Sequence, residues 1–236
     1  MVTLRPSLER GIVDRGWLKA HHSFSFANYQ DPKHVHFGPL LVINEDHFAP
    51  TRGFGMHPHE DMEIVTYVVA GGLKHEDSTG GGGTLYPGDV QRMSAGTGVQ
   101  HSEFNPNEDK DLKLFQIWLF PNKRNVEPRY DQQKIAVDEH LNEFVQILSP
   151  DKDDAGVWIH QDAWFYLSDF DKDFSKKLAL KKEGNGFYIF NIEGEIEVNG
   201  QKLEKRDAIG IWETNEIEIK ANSDSRFLIM EIPMEQ

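Results

Sequence analysis

Apolar residues in this chain recur in short runs, many alternating with polar residues and most broken by glycine, proline, asparagine or aspartate. A period-two pattern between turn residues predicts strands rather than helices. Leu40–Ile43, Met62–Val69 and Leu112–Phe120 read as strands in the first half, closed by Gly71-Gly72 after the second and Pro121 after the third. Phe187–Ile192, Glu195–Val198, Ala208–Trp212, Glu216–Ile219 and Arg226–Ile232 continue the series. Glu216 to Lys220 alternates charge with isoleucine, so one face should be buried and the other wet. Asn199-Gly200, between two short runs, signals a two-residue hairpin turn. Gly80–Gly83 is followed by no Gly-Lys-Ser/Thr, so it reads as a flexible hairpin tip and not a phosphate loop. Lys134–Gln146 has room for one short helix or turn.

The two halves look like weak copies of each other. Tyr67-Val-Val-Ala-Gly-Gly72 followed by Tyr86-Pro-Gly-Asp89 resembles Phe190-Asn-Ile-Glu-Gly194 followed by Lys205-Arg-Asp207. Each is a strand, a glycine turn, a second strand and a turn ending in aspartate. Repetition of such a unit predicts an all-β chain of two tandem barrels. Pro121–Gln133, polar and carrying two prolines, is the expected junction, giving domains 1–122 and 123–236.

At 236 residues the chain is long enough for this arrangement, and 38% apolar content, with 15 Phe and 5 Trp, is sufficient for sizeable cores. A net charge of −14 argues against a nucleic-acid partner and an anionic membrane surface, both of which demand surplus Lys and Arg. No apolar run is long enough to span a bilayer. The absence of cysteine excludes disulfides and thiolate metal sites. With no leader-like apolar segment at its start, the chain is expected to be cytoplasmic.

Two motifs carry chemistry: His57-Pro58-His59 and His101-Ser102-Glu103. Each is spaced i, i+2, so on a strand both members of a pair can face the same side. Three imidazoles and one carboxylate suit a divalent metal with N and O ligands. With 11 histidines in the chain either pair alone is weak, and His34-Val35-His36 repeats the spacing with no partner segment. His57 and His59 are favoured because Gly53-Phe54-Gly55 precedes them and a strong strand follows. A polar barrel mouth with ordinary hydrogen-bonded histidines is the alternative. His75-Glu-Asp77 and His160-Gln-Asp162 read as surface or structural hydrogen-bonding groups.

Gly53-Phe-Gly-Met-His-Pro-His-Glu-Asp-Met-Glu63 resembles the first cupin motif, and more narrowly that of the pirins. Pro87-Gly-Asp89 with Ser94-Ala-Gly-Thr-Gly-Val-Gln-His-Ser-Glu-Phe-Asn105 resembles the second pirin motif. His22–Tyr29, Leu41–Asp46, Gln116–Trp118 and Leu148–Pro150 extend the resemblance over nearly the whole chain, towards the bacterial pirin-like quercetin 2,3-dioxygenases. It implies a bicupin, two jelly-roll barrels with the metal in the first. It also implies Glu103 as fourth ligand, where general cupins use the residue here numbered Glu63. That leaves Glu63 as an alternative ligand or a neighbour of the shell.

Fe(II) is favoured through the resemblance, while Ni, Cu, Mn, Co and Zn also suit the donors. The implied reaction is cleavage of a flavonol by O2, with Glu103 as the base that takes the substrate hydroxyl proton. An aromatic substrate needs an apolar slot, for which Phe54, Met56 and Phe104 stand nearest the ligands. Phe24, Phe26, Phe37, Met93 and Phe115 are further wall candidates, each also explicable as core. The family also includes metal-binding regulatory proteins that act through a protein partner without turnover, which remains the competing expectation.

Overall fold

The computed structural model describes residues 1–234. Its first part contains strands β1 (Val2–Arg5), β2 (Gly11–Asp14), β3 (Leu18–His22), β4 (Leu40–Phe48), β5 (Gly53–His59) and β6 (Glu63–Ala70). These are followed by β7 (Leu73–Asp77), β8 (Gly82–Leu85), β9 (Asp89–Ser94), β10 (Val99–Phe104), β11 (Leu112–Leu119) and β12 (Arg129–Lys134). The second part contains β13 (Val145–Ser149), β14 (Val157–Trp158), β15 (Trp164–Phe170), β16 (Ser175–Ala179) and β17 (Asn185–Glu193). It ends with β18 (Ile196–Val198), β19 (Gln201–Leu203), β20 (Ala208–Ile211), β21 (Glu216–Ala221) and β22 (Ser225–Pro233). Lys134–Gln146 supplies only a 3-10 turn, Val137–Glu139, before β13 begins.

The expected repeat is visible in the strand order. One large sheet runs β12-β9-β6-β11-β4-β3-β2, the other β1-β20-β17-β22-β15-β13-β14. The smaller sheets run β5-β10-β7-β8 and β16-β21-β18-β19. Each half is a jelly roll made of one large and one small sheet, antiparallel except for the short parallel pair β13–β14, and the two sheets face each other without closing into a single ring. Measured against the expected boundary at 122/123, two strands cross over: β1 pairs with β20 in the second jelly roll, and β12 pairs with β9 in the first.

Alternation along the strands builds two kinds of core. On β6, Val65 and Tyr67 face the other jelly roll, while Ile64 and Val68 point inward. The two large sheets meet over Phe115, Phe165, Tyr188 and Phe190. Arg206 ties the halves further by pairing with Glu45 at 2.8 Å, and Arg10 pairs with the same carboxylate at 3.0 Å. β21 shows the expected buried and exposed alternation, and Asn199 and Gly200 both take positive φ, as the hairpin requires.

The interiors differ. The second is filled by aliphatic and aromatic side chains such as Ile189, Ile196, Ile217, Phe227 and Ile229. The first has apolar clusters around Leu73 and Leu114 and around Ile64 and Met93. It also buries His22, Asn44, Asp46, His75, Gln91, His101, Glu103 and Gln116. Burying polar groups is expensive and adds nothing to a core that leucine could fill. That concentration marks the functional half.

Candidate metal centre and adjoining pocket

β5 and β10 lie side by side, with His101 opposite His57 and Val99 opposite His59. β5 is the edge strand of its sheet, so Pro58 sits between the two histidines without costing a ladder hydrogen bond. Past His101 the register shifts, and Glu103 comes opposite Phe54. Such a bulge re-aims the side chains beside it. Gly53 permits the close approach, because a Cβ there would lie 2.0 Å from the Glu103 carbonyl oxygen. Gly55 meets nothing within 4 Å, so the expected role for glycine holds at Gly53 alone.

The two motifs converge as their spacing predicts. Ring centroids are 4.3 Å apart for His57 and His101, and 4.9 Å for His59 with either of the others. The donor nitrogens of all three lie within 4.8 Å of one another, and an oxygen of Glu103 lies within the same distance of His101 and His75. The His57 Nδ1–H donates to the Gly55 carbonyl at 2.8 Å, which leaves Nε2 bare. Nε2 of His59 and of His101 are buried with no hydrogen-bond partner. Unpaired buried imidazole nitrogens aimed at a common point are what a bound cation would satisfy. Together these residues form a candidate His/Glu metal site.

Burial, then repulsion from its imidazole neighbours, pushes His59 down to about 4 and His101 further still. Both rings are therefore neutral at pH 7, the form that binds metal. Glu103 is 4% exposed. Burial raises its carboxyl to about 7, against the pull of a 2.6 Å hydrogen bond from Gln116. The Trp118 indole in turn donates to the Gln116 side-chain oxygen at 3.2 Å, fixing the amide that holds Glu103.

His75, expected to be a surface or structural hydrogen-bonding group, is the second of these. It is fully buried, stacked on Tyr130, with its Nε2 3.3 Å from Asp77. Its Nδ1 lies 3.5 Å from the His101 Nδ1 and 3.2 Å from the Gln91 amide. Asp77 accepts the Nε2–H, so the His75 Nδ1 lone pair is shared between the Gln91 amide N–H and the His101 Nδ1–H. The hydrogen bond from His101 orients its Nε2 inward.

Glu63 does not join the site. β5 ends at His59, the chain turns at Asp61 with φ 45°, and β6 begins at Glu63 in the other sheet. Its carboxylate accepts from Ser94 at 2.7 Å, near Arg129 and outside the jelly roll. His34 pairs with Asp31 at 2.9 Å and His36 with the Gly38 carbonyl. His160 packs on Trp158.

A cavity of about 350 Å³ opens beside the imidazoles, with Phe26, Phe54 and Trp118 as its aromatic walls and His57, Glu103 and Gln116 at its floor. The size suits a small-molecule ligand. Of the three expected wall residues only Phe54 lines it. Met56 is 57% exposed, and Phe104, on the opposite face of β10 from His101 and Glu103, is 39% exposed. Phe24, Phe37 and Phe115 belong to the core between the sheets, and Met93 to an inner cluster.

Residues 4–119 match the family model described as Pirin, and residues 146–232 match that described as quercetinase C-terminal cupin domain. Quercetin 2,3-dioxygenase of Escherichia coli K12 is 40% identical over 233 residues, covering 99% of either chain. The chain belongs to the pirin family. A pirin-like protein of Caulobacter vibrioides is 38% identical over 232 residues, covering 98% of this chain and 99% of its own. The crystal structure of YhhW from E. coli matches with a TM-score of 0.95 at 39% identity, over 100% of this chain and 99% of that one. That of the bacterial pirin YhhW in complex with nickel(II) matches with a TM-score of 0.93 at 39% identity, over 99% of each. A mutant oxalate decarboxylase of Bacillus subtilis shares the bicupin fold, with a TM-score of 0.67 at 8% identity over 98% of this chain and 76% of that one. No helix among the described residues is long and apolar enough to cross a membrane.

The buried titratable groups give the metal-free pirin a defined pH response. Burial raises Asp46 to about 8 and Glu63 and Glu103 to about 7. Their folded-state values exceed the unfolded ones, so the stability they give is complete below about pH 4 and is lost as pH rises through 7 to 8. His59 and His101 act oppositely, because their folded values lie below the unfolded one; their stability is lost as pH falls below about 6.5. The sets oppose each other at acid pH, and above 6.5 the carboxyls act alone. Thermal unfolding in chelator should show Tm falling between pH 6.5 and 8.5, by the equivalent of roughly 2 kcal/mol. A flat or rising Tm over that window would contradict these burial effects.

Proposed function

We propose that this protein is a metal-dependent dioxygenase that opens the ring of a flavonol, a quercetin-like polyphenol, with O2. The observation that carries the reading is the aromatic-walled pocket opening directly onto His57 and Glu103. His57, His59, His101 and Glu103 would hold one divalent ion, with Fe(II) preferred and nickel(II), found in the related YhhW complex, an alternative. When bound, the metal supplies open positions for the substrate hydroxyl and O2, and acidifies that hydroxyl.

The chain's own side chains do the rest. Phe54, Phe26 and Trp118 grip the flat ring system and keep water from its reacting edge. Phe26 meets Trp118 edge-on at 5.4 Å, so the two rings form one corner of the slot. Glu103 takes the proton of the 3-hydroxyl. Gln116 holds one oxygen of this carboxyl and so sets the direction of the other, which accepts the proton.

Titrating quercetin anaerobically into Fe(II)-loaded protein should shift its visible absorption with 1:1 stoichiometry, and admitting air should then bleach it. Binding without bleaching under any of Fe, Mn, Ni, Co or Cu would transfer support to a regulatory role through a protein partner.

A further inference from the structure

The pocket has an acidic wall that metal binding does not use. On β4, Asn44 and Asp46 face the cavity, while Glu45 between them turns outward to Arg10 and Arg206. Asn44 is engaged, with its side-chain oxygen 2.7 Å from the His22 Nδ1. Asp46 is only 5% exposed. Among the described residues no donor hydrogen-bonds its carboxyl, and its raised proton affinity comes from burial and from the charges of Glu103 and Glu45.

The fold does not need an acid at this position. Its cross-strand neighbours are Ala20 and Leu114, and Phe48 follows two residues on, all three in one apolar cluster. Leucine at 46 would extend that cluster, whereas a buried carboxyl without a donor is a net loss. The cavity is what Asp46 faces, so a hydrogen-bond donor there must come from a ligand or from water.

Position narrows the donor. Asn44 lies opposite Gln116, the residue that holds Glu103. Asp46 is one strand repeat further, roughly 7 Å along β4. A substrate with its reacting hydroxyl at His57 and Glu103 would therefore place a group about one ring away beside Asp46. Two carboxyls lining one cavity disfavour anionic ligands; the basic residue in the lining, Arg15, is solvent-exposed.

We propose that Asp46 is a specificity determinant: it receives a second hydroxyl of a neutral, polyhydroxylated aromatic substrate, about one ring away from the hydroxyl that meets the metal. This rests on the flavonol reading and narrows it to flavonols hydroxylated beyond position 3. It makes simple 3-hydroxyflavones and aromatic carboxylates poor ligands.

The test is anaerobic binding to the nickel-loaded protein, with quercetin compared against 3-hydroxyflavone, which lacks every other hydroxyl. Wild type should bind quercetin about tenfold more tightly, the scale of one hydrogen bond to a buried polar group that is otherwise left unpaired. In Asp46→Leu the ratio of the two affinities should fall to near one, and Asp46→Asn, which keeps shape and one acceptor oxygen, should lie between. Equal affinities in wild type, or a full preference surviving in either folded variant, would overturn the assignment of Asp46 while leaving the flavonol site standing. Failure of both flavonols to bind would overturn the flavonol reading and this inference with it.

Discussion

His101→Ala should lower divalent-metal affinity at least about 100-fold and abolish flavonol-dependent oxygen uptake. Its ring is the hub of the cluster, closest to His57 and in contact with His59 and His75. It is also 1% exposed, so truncating it removes a ligand that the surrounding core holds in place. What remains is His57 and His59 on an edge strand together with Glu103, three donors where the site offered four. Calorimetric titration with nickel(II) measures the affinity, and a melting curve confirms folding. His36→Ala, in the His-x-His outside the cluster, should change neither quantity. Affinity within a few-fold of wild type in His101→Ala would place the metal elsewhere.

Glu103→Gln should separate chemistry from binding. The glutamine keeps the size of the side chain and an oxygen that can accept from Gln116, so the pocket floor should keep its shape. Its amide cannot take a proton from the substrate. The expected result is a fall in kcat of roughly 10²- to 10⁴-fold, the usual contribution of a positioned base. Metal affinity should fall by far less, within about tenfold, because three imidazoles remain. Full activity would remove Glu103 from the base role. Loss of metal and of activity in equal measure would leave it as a ligand only.

The convergence of His57, His59, His101 and Glu103 was legible because both motifs follow the period of a strand, and a strand pair is enough to bring them together. The repeat was legible for the same reason, since turn residues recur at matching places. What failed did so at breaks in the period. Glu63 would share the face of His57 and His59 only on an unbroken strand, and the turn at Asp61 sends it into another sheet. Phe104 could have been set aside, since His101 and Glu103 facing inward on β10 leave Phe104 facing outward. Met56 lies where β5 and β10 change register.

His75, Gln116 and Trp118 stand out in the sequence, but their place beside the site follows only from long-range pairing. His75 reaches His101 through β7 and β10, and Gln116 and Trp118 reach the site through β11. Their signal was polar side chains in otherwise apolar strands, as in Leu41-Val-Ile-Asn-Glu-Asp46. The exchange of β1 and β12 between the jelly rolls left no local trace, because edge pairing depends on where the partner strand happens to lie.

The most direct test of the central claim is oxygen uptake by the Fe(II)-loaded protein with quercetin, followed by electrode and absorbance together. The account predicts one O2 consumed per flavonol lost, with neither change in His101→Ala. Flavonol loss without matching oxygen uptake, or equal uptake in the variant, would contradict ring cleavage at this site.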